Sequence, residues 1–237
     1  MKREEITSLS NPKVKEALEY KDAKGDYFLS EGYHLAEVAV ESNLAIGVFS
    51  IKPYECPCTN YVVNDKIIKK LVSTLNPEGI VTVSKKPEPK PISSDKVLFL
   101  DDVSDPGNVG TLLRTALAFG FKDVILLKGA NPYKSKVVQA SQGAIYKLNI
   151  IQINDPSILK DLKKKGGYTV IGTDLKSSVP LSSIEKPEKF VLVLGNEARG
   201  VSKEVLNEGN ENVRIEIDSI ESLNVAMAGA ILMYELR

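Results

Sequence analysis

Residues 97–119 read VLFLDDVSDPGNVGTLLRTALAF, and this stretch decides the fold. The apolar run at 97–100 predicts a buried strand, Asp105-Pro106-Gly107 predicts a turn, and an apolar helix follows over 109–119. Similar apolar runs recur at residues 124–127, 148–153, 168–171, 190–194 and 213–217. Helical patterns lie at residues 135–143, 157–165 and 223–236. Apolar strands alternating with helices predict a doubly wound α/β domain with a parallel sheet.

A linker separates this region from the start of the chain. Residues 85–95 read KKPEPKPISSD, and prolines at three of five consecutive positions favour an extended, solvated segment. The region before it reads as a smaller α/β unit, with strands predicted at 27–29, 46–51, 61–63 and 80–83. Its helices are predicted after Asn11-Pro12, over 33–40, and after Asp65 as N-cap. We therefore expect two domains, residues 1–90 and 95–237.

The composition excludes several classes of protein. The chain has 237 residues, and its hydrophobic content of 43% argues against disorder. Lys plus Arg and Asp plus Glu are 31 each, so a nucleic-acid partner would need a local basic patch. No signal peptide or apolar run of about 20 residues is found, and a cytoplasmic protein is expected. The only cysteines, Cys56 and Cys58, and the one histidine, His34, predict no metal site.

The first cluster of polar residues lies where the first strand of the second region meets its helix. Asn108 reads most simply as the N-cap of that helix. Arg114 stands among apolar helix residues, and a partly buried arginine needs an anionic partner. That partner is either a structural carboxylate or a substrate phosphate, and the sequence leaves both open. The glycine pattern matches neither a dinucleotide-binding fingerprint nor a Walker loop.

Two further clusters lie at later strand ends, where α/β domains bind ligands. Glu197 follows the run at 190–194, as either a solvated loop carboxylate or the partner of Arg114. Ser222 reads as the N-cap of the last helix, with Asn224 in its first turn. The small residues of that helix permit a core contact or a dimer seam. They are Ala226, Ala228, Gly229 and Ala230.

These clusters resemble the three motifs of the SpoU (TrmH-type) RNA 2′-O-ribose methyltransferases of the SPOUT class. The motifs are Asn108 with Arg114, residues 195–200 (GNEARG) and residues 222–226 (SLNVA). The resemblance covers residues 95–237 strongly, and residues 1–90 more weakly resemble the RNA-binding domain that many members carry. Glu216 and Ala226 depart from residues common in the family, Pro and Ser.

The resemblance implies a C-terminal SPOUT domain with a trefoil knot, a homodimer and S-adenosylmethionine as cofactor. It implies an RNA (ribose-2′-O)-methyltransferase, with ribosomal RNA expected as the substrate because of the accessory domain. By family position, the catalytic residues would be Asn108, Arg114, Glu197, Ser222 and Asn224. The cofactor-binding residues would be Thr173, Asp174, Leu175, Leu194, Gly195, Asn196, Ile217 and Leu223. Glu197 would orient Arg114, whose guanidinium would contact phosphate and the developing alkoxide.

Three alternatives stay open at this stage. The RNA could be tRNA rather than ribosomal RNA. The chain could be a non-catalytic RNA-binding assembly factor, although such a scaffold would not need Arg114, Glu197 and Asn224 together. It could also be a nucleotide-binding protein of unrelated chemistry, which selective binding of S-adenosylmethionine over ATP and NAD would exclude.

Overall fold

The computed structural model describes residues 2–174, 178–220 and 222–237. The strands are β1 (Arg3–Ile6), β2 (Tyr27–Glu31), β3 (Ala45–Ser50), β4 (Thr59–Val63), β5 (Ile80–Lys85), β6 (Lys96–Asp101), β7 (Asp123–Leu127), β8 (Asn149–Ile153), β9 (Thr169–Thr173), β10 (Val179–Pro180), β11 (Phe190–Gly195) and β12 (Glu211–Arg214). The α-helices are α1 (Pro12–Glu19), α2 (Tyr33–Glu41), α3 (Asp65–Leu71), α4 (Pro106–Ala118), α5 (Ser135–Ser141), α6 (Ile158–Lys164), α7 (Lys203–Leu206) and α8 (Val225–Glu235). The predicted α/β class is confirmed.

Packing divides the chain into two compact units. The first contains Met1–Glu88 and Asn131–Lys147, and the second contains Pro89–Ala130 and Leu148–Arg237. The segment Asn131–Lys147 therefore groups with the first unit although it lies, in sequence, beyond the proline-rich linker. The two domain ranges given above stay predictions.

The first unit is built on a five-stranded mixed sheet. Its strand order is β1-β4-β3-β5-β2. β4 pairs in parallel with both β1 and β3, whereas β5 pairs antiparallel with both β3 and β2. The sequence patterns missed β1, because an edge strand reading Arg3-Glu4-Glu5-Ile6 carries only one apolar residue. The N-cap of α3 is Asn64, whose side chain accepts from the N–H of Ile67, so the prediction of Asp65 as cap was wrong by one residue.

A buried carboxylate ties three parts of the first unit together. Glu31, at the end of β2, is only 7% exposed. It accepts hydrogen bonds from the N–H of Ser73 (2.8 Å), from the N–H and hydroxyl of Thr74 (3.3 and 2.9 Å) and from the hydroxyl of Ser135 (2.7 Å). Its backbone carbonyl accepts from the Gln139 amide at 2.8 Å. Glu31 thus fixes both the loop after α3 and the start of α5.

We expect Glu31→Ala to lower the free energy of unfolding by about 2–4 kcal/mol, because the substitution leaves several buried donors without an acceptor. Urea denaturation measures the change. Glu37→Ala, on the exposed side of α2, is the matched control and should shift the free energy by less than about 0.5 kcal/mol. If Glu31→Ala lowers the free energy of unfolding no more than the control does, Glu31 does not hold the loop after α3 and the start of α5 in place.

The second unit is built on a seven-stranded sheet that is parallel throughout. Its strand order is β10-β12-β9-β11-β6-β7-β8. β11 is buried along its whole length, as expected for a strand covered on both faces. The predicted bounds of the last strand, 213–217, were wrong. β12 begins at Glu211 and ends at Arg214, and residues 215–217 continue as irregular chain.

The C-terminal helix α8 packs closely on α4 and β11. A Cβ on Gly229 would lie 2.4 Å from Cδ2 of Leu112 and 2.7 Å from Cδ1 of Leu194, so any larger residue here would force these buried side chains to shift. The core-contact interpretation of the small residues is confirmed at Gly229. In the part of the chain that the structure describes, no helix is long and apolar enough to cross a membrane.

Candidate active site

Two neighbouring strands bring the first two motifs together. β6 and β11 pair in parallel with Asp101 opposite Gly195, so their following loops leave the same edge of the sheet. The Asp101 carboxylate accepts from the N–H of Ser202 at 2.6 Å, and the Asn196 amide donates to the carbonyl of Asp102 at 2.8 Å. Sequence reasoning missed both aspartates. Their signal was the acidic pair directly after the apolar run of β6.

The loop after β11 is a tight hairpin that needs glycine at its base. Asn196 and Gly200 exchange backbone hydrogen bonds of 3.0 and 2.8 Å. A Cβ on Gly195 would lie 2.2 Å from the carbonyl carbon of Gly200 and 2.2 Å from the nitrogen of Val201. Gly200 has φ +69°, which side chains rarely adopt. These two glycines let the chain turn back on itself and hold Glu197 in place.

The Glu197 carboxylate caps the loop that opens α4. It accepts from the Asn108 amide (3.0 Å) and from the N–H groups of Asp105 (3.1 Å) and Ser104 (3.2 Å). Burial raises the pKa of Glu197, but the hydrogen bonds from Asn108 and from backbone N–H groups outweigh burial and lower this pKa below its ordinary value. The group is therefore ionised at neutral pH, and its charge lies near the positive end of α4.

Asn224 joins the third motif to the first two. Its amide nitrogen donates to Oδ1 of Asn108 at 3.0 Å, so a continuous chain of hydrogen bonds runs from Asn224 through Asn108 to Glu197. Its Oδ1 also accepts from the N–H groups of Ala226 (2.9 Å) and Met227 (3.3 Å). Three residues predicted for one site, from three distant segments, are thus in contact.

Two N-cap predictions in these motifs were wrong. The N-cap of α4 is Asp105, whose Oδ1 accepts from the N–H of Asn108 at 2.9 Å, so Asn108 lies inside the first turn. The N-cap of α8 is Asn224 and not Ser222. The side chains of Asn108 and Ser222 therefore do not cap these helices. Asn108 uses its side chain for Glu197, whereas Ser222 is exposed and bonds to none of the described residues.

Arg114 does not pair with Glu197 in this chain. The prediction of a partly buried arginine was wrong, because Arg114 is exposed on the outer face of α4. It lies six residues after Asn108, and at 3.6 residues per turn the two side chains leave the axis about 120° apart. Within the described residues, no hydrogen bond or ion pair involves the Arg114 guanidinium. Its charge is therefore available to an anion from outside the chain.

Two of the residues proposed for the cofactor lie at the ends of neighbouring parallel strands, Thr173 on β9 and Leu194 on β11. The Thr173 hydroxyl donates to the carbonyl of Val193 at 2.9 Å, and the N–H of Asp174 donates to Val213 at 3.2 Å. Leu194 is buried and packs near Gly229, so only its backbone can face a ligand. Ile217 and Leu223 are half-buried in irregular chain. Leu175 lies outside the described residues.

Comparison with known proteins identifies the family. The model of the SpoU rRNA Methylase family matches residues 95–234. The chain belongs to this family. It is 34% identical over 246 residues to the 23S rRNA (guanosine(2553)-2′-O)-methyltransferase RlmP of Bacillus subtilis, with 98% of this chain and 99% of that protein covered.

Solved structures agree with the fold. An AdoMet-bound rRNA methyltransferase from Sinorhizobium meliloti superposes with a TM-score of 0.88 at 27% identity, covering 99% of this chain and 97% of that one. The SpoU methyltransferase AviRb from Streptomyces viridochromogenes, in complex with AdoMet, gives a TM-score of 0.83 at 21% identity, over 95% of this chain and 97% of that one. At 21% identity, the similarity to AviRb supports the fold and nothing further. The fold class of the SPOUT methyltransferases is thereby established for this SpoU-family chain.

Proposed function

We propose that this SpoU-family protein transfers a methyl group from S-adenosylmethionine to a ribose 2′-OH of ribosomal RNA. The observation that carries the proposal is the hydrogen-bonded chain Asn224–Asn108–Glu197, which joins all three family motifs at one sheet edge. Similarity over nearly the full length to a relative named as a 23S rRNA 2′-O-methyltransferase supports ribosomal RNA over tRNA. With ribosomal RNA as the proposed substrate, we also propose the cytoplasm as the compartment of this protein.

The residues at the sheet edge fit S-adenosylmethionine by their chemistry. Half-buried Ile217 and Leu223 offer apolar surface to a flat base, beside the tight hairpin that begins at Gly195. Asp174 supplies a carboxylate, the group that commonly accepts from ribose hydroxyls. Thr173 and Leu194 add backbone groups at the ends of β9 and β11. When bound, the cofactor supplies an electrophilic methyl group on a positively charged sulfur.

Within this chain, the residues act by positioning and by charge. A ribose 2′-OH held beside these residues would take the methyl group that the cofactor supplies, and its hydroxyl proton would leave to water. The guanidinium of Arg114 stabilises the negative charge that develops on the attacking oxygen or its neighbouring phosphate. Ionised Glu197 holds Asn108 and the start of α4 in place, and Asn224 fixes the start of α8 against them. Ser222 would contact RNA or cofactor from its exposed position.

The test of this function is methyl transfer to two RNA pools in parallel. Labelled S-adenosylmethionine is incubated with the protein and either unmodified ribosomal RNA or unmodified tRNA. We expect label in ribosomal RNA and little in tRNA. Label in tRNA alone would overturn the proposed substrate, and binding of RNA without any transfer would favour the non-catalytic assembly factor.

We also propose that the protein is a homodimer through α8. The helix exposes Met227 (53%), Ile231 (40%) and Tyr234 (49%), which are spaced by four and three residues and so form one stripe. This apolar stripe is the surface that we assign to the dimer.

We expect Ile231→Asp to shift the protein from dimer to monomer and to reduce methyl transfer, because a charge in an apolar interface is not compensated. Sedimentation velocity measures the mass, and the transfer assay measures activity. Leu75→Asp, at a residue 96% exposed in the first unit, is the control and should leave the mass unchanged. A wild-type protein that sediments as a monomer would contradict the dimer directly.

A further inference from the structure

Arg199 stands out among the residues of the second motif because its charge has no assigned role. It lies two residues after Glu197, and its side chain is 73% exposed. Its guanidinium forms an ion pair with the carboxylate of Asp102, on the loop after β6. Glu197 is not its partner, since both oxygens of Glu197 accept from Asn108 and from backbone N–H groups.

The backbone that carries Arg199 is held in one conformation. The side-chain oxygen of Asn196 accepts from the N–H groups of Ala198 (3.0 Å) and Arg199 (3.2 Å), inside the hairpin closed by Asn196 and Gly200. These hydrogen bonds hold the backbone of Arg199 in a fixed position relative to that of Glu197. The side chain itself remains long, flexible and open to solvent.

The partner Asp102 is also fixed, but its ion pair is exchangeable. Asp102 has φ 56°, and its carbonyl accepts from the Asn196 amide and the Ser104 hydroxyl. Its side chain is 31% exposed and that of Arg199 is 73% exposed, and pairs this open to water contribute little to stability. A phosphate offers the guanidinium two charged oxygens in the geometry of a carboxylate, so it can replace Asp102.

We propose that Arg199 binds a backbone phosphate of the RNA substrate next to the methylated ribose. Asp102 holds the guanidinium beside the site in the free protein, and the phosphate displaces it on binding. The proposal rests on RNA being the substrate. Arg199 is a positioning residue here: it anchors the strand, while the reacting atoms are left to the residues described above.

The salt dependence of RNA binding separates this role from a structural one. Each phosphate contact contributes a slope of about 0.7–0.9 to the fall of log affinity with log salt. Arg199→Ala should raise the KM for RNA about tenfold and reduce this slope by about one contact. It should leave kcat and the affinity for S-adenosylmethionine unchanged. Arg199→Lys, which keeps the charge but loses the two-point geometry, should recover part of the affinity and the whole slope.

Asp102→Asn gives the opposite expectation. Removal of the competing carboxylate should tighten RNA binding by about two- to fivefold, the range that exposed ion pairs allow. Lys203→Ala, which removes another exposed charge four residues from Arg199, is the matched control and should leave the salt slope unchanged.

Two results would overturn the proposal. One is an equal loss of RNA affinity in Arg199→Ala and Asp102→Asn, which would mean that the pair only stabilises the loops. The other is an unchanged slope in Arg199→Ala. RNA binding is measured by equilibrium titration as well as by turnover, so wild-type binding without methyl transfer would count against the proposed function and leave the test of Arg199 intact.

Discussion

We expect replacement of Arg114 with alanine to lower kcat/KM for RNA methylation by about 100- to 1,000-fold, the range lost when one charge-stabilising group is removed from an active site. The physical reason is that the free guanidinium of Arg114 is the positive charge proposed to meet the developing alkoxide or its phosphate. Binding of S-adenosylmethionine, measured by calorimetry, stays close to wild type because Arg114 lies on the outer face of α4.

The control for Arg114 is Lys122→Ala, which removes one exposed positive charge just before β7, at the other end of the sheet. This variant should keep wild-type turnover. An equal loss of turnover and of cofactor affinity in Arg114→Ala would contradict the proposed role, since it would indicate a disrupted pocket. Turnover within a few-fold of wild type would contradict it as well.

We expect Gly195→Ala to destabilise the second unit by about 3 kcal/mol or more and to abolish binding of S-adenosylmethionine. The added Cβ would lie 2.2 Å from backbone atoms of Gly200 and Val201, and backbone cannot move aside as a flexible side chain can. The hairpin would have to open, and Glu197 would lose its place. Urea denaturation and calorimetry measure the two effects.

Gly200→Ala provides the graded comparison for Gly195. No atom lies within 4 Å of a Cβ added there, but φ is +69°, so only the left-handed backbone is strained. We expect a cost of about 1–2 kcal/mol with cofactor binding retained. If Gly195→Ala costs no more than Gly200→Ala, the close approach of the two loop ends is not what holds the second motif.

Much of the second unit could be predicted because its strands are buried on both faces. Such strands read as uninterrupted apolar runs, and β6, β7 and β11 lie within one residue of the predicted bounds. The edge strand β1 could not be found, since a strand whose side chains face water has no apolar pattern to detect. The grouping of Asn131–Lys147 with the first unit was equally invisible, because periodicity shows which face of a helix is buried and not what covers it.

The residues that share the site could be predicted, but the contacts that each of them makes could not. Asn108, Glu197 and Asn224 were expected to share one site through the resemblance to the family. The helix-capping residues were predicted wrongly from the sequence, because nearby polar residues such as Asp105 and Asn108 are both suited to the same N-cap position. Arg114 was misjudged because an arginine among leucines and alanines can still face outward on a helix. The trefoil knot, which no local pattern encodes, stays a prediction.

The most direct measurement is the chemical identity of the methylated product. Ribosomal RNA labelled by the wild-type protein is hydrolysed with alkali, which cleaves every linkage except those whose 2′-oxygen is methylated. We predict that the label is recovered in an alkali-stable dinucleotide, and that Arg114→Ala yields almost none. Label recovered in a base-methylated mononucleotide, or no label from a protein that binds S-adenosylmethionine, would contradict ribose methylation by this site.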